Sequence, residues 1–294
     1  QRSAGCSRQQ FDCKEAIIQT RFSTACFEQW QQIMGVEDGV LTQNGYLYPY
    51  ARGDEAAFAK AIKAFDLQRS LGLHEVQLLD ARELKTQFPE LIMEDLLGGT
   101  FCPTDGFVRA QEAAQDIYHA CQRLGVRFIR NAKVISSTVE QGAITSLIYQ
   151  KNGEIGDVQV DKVVLATNAW THQVAPSLGL DGAFDREVEV ETNGRKTKRQ
   201  LIEPWKRYLA FLQGINKNGN NYPITLERFA TRPMYVFPNG LYGHPEGVGQ
   251  SMDEKHAQFM MGWAAKPDRQ SPRDFPDDWQ DEIERGFHHK EGGD

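Results

Sequence analysis

The sequence predicts an α/β chain, α+β overall. Part of a doubly wound, dinucleotide-binding type of domain is joined to an antiparallel-sheet domain. Three observations predict it. A helix-length apolar period over residues 109–124 is followed by strand-like runs that end on Val163-Val164-Leu165-Ala166. That last run is apolar throughout, as a parallel strand buried on both faces should be. It enters Thr167-Asn168-Ala169-Trp170, which reads as a strand-to-helix turn, and beyond residue 207 strand-like runs alternate with Asn/Gly turns, the pattern of an antiparallel sheet.

The elements follow in order. Residues 11–30 place Cys13, Ile17, Phe22, Ala25 and Trp30 close to helical spacing. Asn44-Gly45 is a turn leading into a strand through Tyr46-Leu47-Tyr48. Residues 54–72 read as a helix ending at Gly72, and 80–88 as a short helix opened by Asp80 as N-cap and stopped by Pro89. Gly106-Phe107-Val108 precedes the helix over 109–124. Its apolar face runs Ala110, Ala113, Ala114, Ile117, Ala120, Cys121 and Leu124, and Gly125 closes it. Residues 126–129, 133–139 and 144–149 read as strands. Asn152-Gly153 turns the chain, and Val158-Gln159-Val160 leads into the 163–166 run. Residues 181–200 are polar and contain the basic run Arg195-Lys196-Thr197-Lys198-Arg199. With Glu187, Glu189 and Glu191 beside it, that run reads as a solvated surface excursion rather than a nucleic-acid patch. Candidate antiparallel strands cover 208–212, 234–237 and 259–263, separated by turns at 218–221 and Asn239-Gly240. From Lys266 onward Pro and Asp are frequent and no packing signal is present.

Composition narrows the class. A chain of 294 residues is long enough for two domains, and 40% hydrophobic with 25% charged residues is ordinary for a globular enzyme segment. The net charge of -7 argues against non-specific binding to nucleic acid or anionic lipid. No apolar run reaches the length of a membrane-spanning helix. The five cysteines, Cys6, Cys13, Cys26, Cys102 and Cys121, are odd in number and show no C-x-x-C spacing. They read as reduced, mostly buried thiols in a cytosol-like compartment, so a cytoplasmic location is expected. The histidines show no metal-binding spacing, and no metal site is expected. No Gly-x-Gly-x-x-Gly turn is found, and the chain starts at Gln1. The expectation is therefore an internal piece of a larger enzyme, cut at both ends, inactive by itself, unable to retain its cofactor and of low stability.

The motifs resemble a known family. Ser3-Ala4-Gly5-Cys6-Ser7-Arg8-Gln9-Gln10-Phe11 is similar to the Ser/Asn-Ala-Gly-Gly-Ile-Arg-Gln-Gln-Phe segment of FAD-dependent amine and amino-acid oxidoreductases. These form the D-amino-acid oxidase superfamily, which includes sarcosine oxidase, glycine oxidase and dimethylglycine dehydrogenase. Further matches follow in the family's order: Gly45-Tyr46-Leu47, Leu84 to Pro89 with Leu91, and Pro103-Thr104-Asp105-Gly106-Phe107-Val108. After these come Gly125-Val126, Val163 to Trp170, Glu203-Pro204-Trp205-Lys206-Arg207 and Arg232-Pro233. The resemblance spans roughly residues 1–265. It implies a partial FAD-binding doubly wound domain from 1–38 and 106–180, and a substrate domain from 39–105 and 181–265, with 266–294 as a tail.

The resemblance also implies roles. Ala4, Gly5, Cys6 and Ser7 would lie beside the isoalloxazine ring, and Cys6 stands where the family often has Gly. Arg8 would grip a substrate carboxylate with two parallel charge-assisted bonds; the plainer reading is a loop arginine. Val134 would meet the adenine edge through its backbone, and Ala166, Thr167 and Asn168 would approach the pyrophosphate, with Asn168 replacing the usual Gly. Trp170 reads equally as a ligand contact or a packing residue at a helix start. Tyr235 and Trp263 would wall a cage around an amine, or else belong to ordinary sheet core. The active-site histidine that sarcosine oxidase carries has Ala264 in its place. The implied activity is oxidation of the C–N bond of a small amine or amino acid by hydride transfer to FAD. A hydroxy-acid oxidoreductase of the same fold and a non-catalytic module derived from it are the alternatives.

Overall fold

The structure is a computed structural model, and it describes residues 5–91, 93–184, 187–192, 195–200, 209–213, 231–246 and 258–263. Its contacts divide the chain into two compact units, one of residues 1–126 with 207–266 and the other of 127–206 with 267–294.

In the first unit the chain opens with β1 (Cys6–Ser7), α1 (Lys14–Glu28) and α2 (Trp30–Met34). The single helix expected over 11–30 is thus two, breaking at Gln29. Next come β2 (Leu41–Thr42), β3 (Tyr46–Ala51), α3 (Glu55–Ser70), β4 (Gln77–Asp80) and α4 (Ala81–Gln87). β5 (Leu96–Cys102), β6 (Gly106–Val108) and α5 (Ala110–Arg123) follow. Asp80 caps α4 as its sequence suggests. Its side chain accepts from the N–H groups of Arg82 and Glu83, both at 2.8 Å, while the Asp80 N–H donates to the Glu83 carboxylate at 2.8 Å. This is a reciprocal capping box, so Asp80→Ala is expected to cost about 1 kcal/mol of unfolding free energy in urea titration.

The second unit holds β7 (Ala132–Glu140), β8 (Ala143–Lys151) and β9 (Glu154–Gln159), an antiparallel meander. It also holds α6 (Thr171–Val174) and a hairpin of β10 (Glu187–Thr192) with β11 (Arg195–Gln200). In the hairpin the acidic strand faces the basic one: Glu189 is opposite Lys198, Glu191 is opposite Lys196, and Lys196 Nζ lies 2.8 Å from Glu189. Two cationic positions of the basic run, Lys196 and Lys198, therefore stand opposite glutamates of the partner strand.

Two strand expectations fail here. Residues 126–129 form no ladder, and neither does 163–166, where Val164 is 89% exposed. An apolar run becomes a buried parallel strand only when strands pair on both its sides, and no described residue pairs with this one.

The remaining strands return to the first unit: β12 (Leu209–Gln213), β13 (Met234–Val236), β14 (Leu241–Glu246) and β15 (Gln258–Trp263). They complete a seven-stranded sheet ordered β12-β15-β14-β13-β3-β5-β4. Among the described pairs only β13 with β3 is parallel, so the sheet is mixed. The strands expected over 208–212, 234–237 and 259–263 correspond to β12, β13 and β15, and the loop at 218–221 lies outside the described residues. Register sorts the two faces. Met260, His244, Met234 and Tyr46 share one row. Leu47 and Tyr235 face the other way, in a core with Leu79, Leu84, Phe88, Leu96 and Phe101.

Candidate active site

The site grows from a small three-stranded ribbon in the first unit, ordered β1-β6-β2. Cys6 is opposite Phe107, and Phe107 is in turn opposite Thr42. Two glycines let these backbones meet. Gly5 has φ +62°, and a Cβ there would sit 2.1 Å from the Val108 carbonyl oxygen. At Gly106 a Cβ would sit 1.9 Å from the Thr42 carbonyl oxygen. Only glycine permits either approach.

Arg8 follows directly from β1. Its Nη1 donates to the Tyr48 hydroxyl at 2.7 Å, and its guanidinium carbon lies 4.2 Å from the centre of the Phe11 ring. One edge is thus hydrogen-bonded and one face stacked, which fixes the plane of the fork. Burial opposes its charge, but Tyr48, Tyr46 and Asp105 outweigh burial and hold its pKa above the ordinary value.

Behind this segment lies Asp105, only 1% exposed. One carboxylate oxygen accepts from the Gln9 N–H at 2.7 Å and from Gln9 Nε2 at 3.3 Å; the other accepts from Gln10 Nε2 at 3.1 Å. The same two amides also donate to the Thr104 hydroxyl and to the Tyr46 carbonyl, each at 3.0 Å. Burial pushes the Asp105 carboxyl up to about 6, against the pull of its donors. Burial likewise raises the Tyr48 hydroxyl to about 12, with Arg8 opposing, and the Cys102 thiol to about 12. Tyr46 is raised further still, by burial and then by the neighbouring Cys6.

A cleft of about 520 Å³ opens beside the Arg8 segment. Gly5, Cys6, Ser7 and Arg8 line one side, Phe11, Phe27 and Trp30 another, and Ala110, Ala113 and Ala114 of α5 a third. Small side chains on two walls and aromatic rings on another suit a flat ring system. This fits the flavin portion of FAD.

His244 on β14 is fully buried and stacks on Phe107, with ring centres 4.7 Å apart and planes at 18°. Its Nδ1 lies 2.7 Å from the Pro245 carbonyl oxygen, which can only accept, so this nitrogen is the donor.

The other expected site residues fall elsewhere. Ala4 lies outside the described residues. Tyr235 is buried in the opposite face of the sheet, where its hydroxyl donates to Glu90 at 2.6 Å and Glu90 pairs with Arg232 at 2.7 Å. The structure does not bring Tyr235 to Arg8, and sheet packing describes it. The backbone of Trp263 pairs with Leu241 at the end of β15. Val134 stands on β7 opposite Tyr149, beside a bulge. Thr167 donates its hydroxyl to that of Thr171 at 3.1 Å, Asn168 takes a left-handed φ of +48°, and Trp170 is 44% exposed. Val134 and Ala166–Trp170 belong to the second unit, and Gly5–Arg8 to the first.

The thiols depart from expectation as well. None is in a disulfide, but only Cys102 is buried, and Cys6 and Cys13 are exposed. Sequence reasoning did not single out Tyr48, Asp105 or His244. The two-residue alternation of Tyr46, Tyr48 and Tyr50 was the available signal for the first.

The model of the family described as FAD dependent oxidoreductase matches residues 1–285. The chain belongs to this family. It is similar to a bifunctional ThiO/ThiG protein of Trichormus variabilis, 29% identical over 132 residues, covering 45% of this chain and 19% of that protein. Among solved structures it resembles L-proline dehydrogenase from P. horikoshii, with TM-score 0.65 and 19% identity over 90% of this chain and 59% of the other. Glycine oxidase from Geobacillus kaustophilus gives TM-score 0.62 and 18% identity, over 90% of this chain and 60% of the other. The chain thus spans about three fifths of these solved relatives and about a fifth of the curated one. No helix among the described residues is long and apolar enough to cross a membrane.

Proposed function

We propose that this chain is part of a flavoprotein that oxidises the C–N bond of a small amino acid or carboxylate-bearing amine. The observation that carries this reading is the held guanidinium of Arg8 at the lip of the cleft. FAD, when bound, supplies the two-electron acceptor for a hydride from the substrate α-carbon. The small-walled cleft would receive the flavin ring, with Gly5, Cys6 and Ser7 against it. Val134, Ala166, Thr167, Asn168 and Trp170 remain the candidates for the rest of the cofactor, and the domain assignment made from the sequence stands as part of the same proposal.

The chain's own residues do the positioning. Arg8 grips the substrate carboxylate with the donors not given to Tyr48, and so sets the distance and angle of the α-carbon. Tyr48 keeps its proton, since its pKa of about 12 lies far above neutrality. It therefore remains a neutral group that orients Arg8 and does not compete for its charge. The imine product hydrolyses in water, needing no dedicated residue.

Arg8→Met tests this in the full-length, flavin-loaded enzyme. The expected outcome is a loss of roughly a hundredfold or more in kcat/KM for an amino acid, with little change for the same amine lacking its carboxylate. Equal losses for both substrates would sink the carboxylate role.

A further inference from the structure

We infer that Asp105 is the positioning residue for Arg8: its two carboxylate oxygens hold Gln9 and Gln10, and so fix the segment that aims the guanidinium. The inference rests on the reading of Arg8 as a carboxylate clamp. Three donors from two consecutive residues converge on one buried carboxylate, and all three lie immediately after Arg8 in the chain. The Gln10 amide bridges the carboxylate to the backbone of β3, the strand whose Tyr48 takes the Arg8 hydrogen bond. One side chain therefore sets the Arg8 segment and the strand that receives it. The far end of the segment is tied separately, by the Gln68 amide donating to the Phe11 carbonyl at 2.9 Å.

Among the described residues, four charged or titratable groups interact with Asp105. Arg8 comes from the segment itself, Tyr46 and Tyr48 from β3, and Cys102 from β5. His244 lies behind Phe107.

The sign of the pH response follows. With the segment closed, the Asp105 carboxyl is raised from 3.8 to about 6. When the segment lifts away, water restores an ordinary value. Closure is thus favoured most below about pH 4, weakens as pH rises to about 6 and is constant above that.

Amide hydrogen exchange of the segment 5–11 in the whole chain, from pH 4 to 8 and corrected for intrinsic exchange rates, tests the inference. The protection of the Gln9 amide is expected to fall on the order of a hundredfold between pH 4 and 7. Asp105→Asn should abolish this dependence. Gln10→Met removes a donor that holds the carboxyl down, so it should move the transition to higher pH and leave α3 protection unchanged. A flat profile in the natural chain, an unaltered one in Asp105→Asn, or an unmoved transition in Gln10→Met would overturn the inference. Should Asp105→Asn not fold, the Gln10→Met transition decides. The measurement needs neither flavin nor substrate. Lost exchange behaviour with intact Arg8-dependent discrimination removes Asp105 and keeps the clamp; the converse removes the clamp and keeps Asp105 as the anchor of the segment.

Discussion

Replacing Asp105 by alanine is expected to lower the unfolding free energy by about 3–5 kcal/mol at pH 7. The carboxylate accepts the Gln9 backbone N–H and one N–H from each of two side-chain amides, all in a buried setting. Alanine leaves three donors without that acceptor, and each unsatisfied buried group costs about 1–3 kcal/mol. The loss is less than the largest sum because the two amides keep Thr104 and the Tyr46 carbonyl as partners. The pH dependence has a definite sign. The folded carboxyl is raised to about 6, so the folded state binds more protons than the unfolded one between about 4 and 6. The stability contributed by this group is fully present at the acid end and declines as pH rises through that window. The gap between the natural chain and Asp105→Ala should therefore widen by about 2 kcal/mol from pH 7 to pH 4. Urea unfolding at the two pH values measures it. A gap that narrows toward acid would show that the carboxylate is stabilised by its donors more than it is penalised by burial.

Gly106→Ala should be comparably damaging for a different reason. The added Cβ would lie 1.9 Å from the Thr42 carbonyl oxygen and 2.8 Å from its carbon. These are backbone atoms, so no side-chain rotation relieves the contact, and β6 must separate from β2. A cost of about 3 kcal/mol or more is expected. Because β6 also pairs with β1, the strand that leads into Arg8, the variant should lose carboxylate discrimination along with stability. Gly125→Ala is the control: the added Cβ meets nothing within 4 Å, and only the left-handed φ of +82° opposes it. It should cost about 1 kcal/mol. Thermal unfolding of the two variants side by side checks the ranking, and equal midpoints would contradict it.

What was legible in the sequence was local. Asp80 as N-cap and Pro89 as stop announced α4, and Asn44-Gly45 announced the turn into β3, because these signals act within a few residues. Val163–Ala166 misled for the opposite reason. Apolar character shows that a run can be buried in a sheet, but pairing decides whether it is, and pairing is not a property of the run. The runs at 133–139 and 144–149 were legible as strands, but their antiparallel pairing with each other and with β9 was not. At the site, Arg8 was legible through its motif. Asp105 was visible only as a letter in Pro103-Thr104-Asp105-Gly106, because its donors lie 95 and 96 residues earlier. His244 was equally hidden: its neighbour Phe107 belongs to another part of the chain, and no spacing rule links them.

The central claim is that Arg8 at the lip of the cleft receives a carboxylate. Its most direct test is titration of the full-length, flavin-loaded protein with acetate and with acetamide, followed through the visible flavin spectrum. Acetate should perturb the spectrum and bind at least a hundredfold more tightly than its uncharged amide, with the preference gone in Arg8→Met. If acetate and acetamide bind alike, or Arg8→Met keeps the preference, the claim is contradicted.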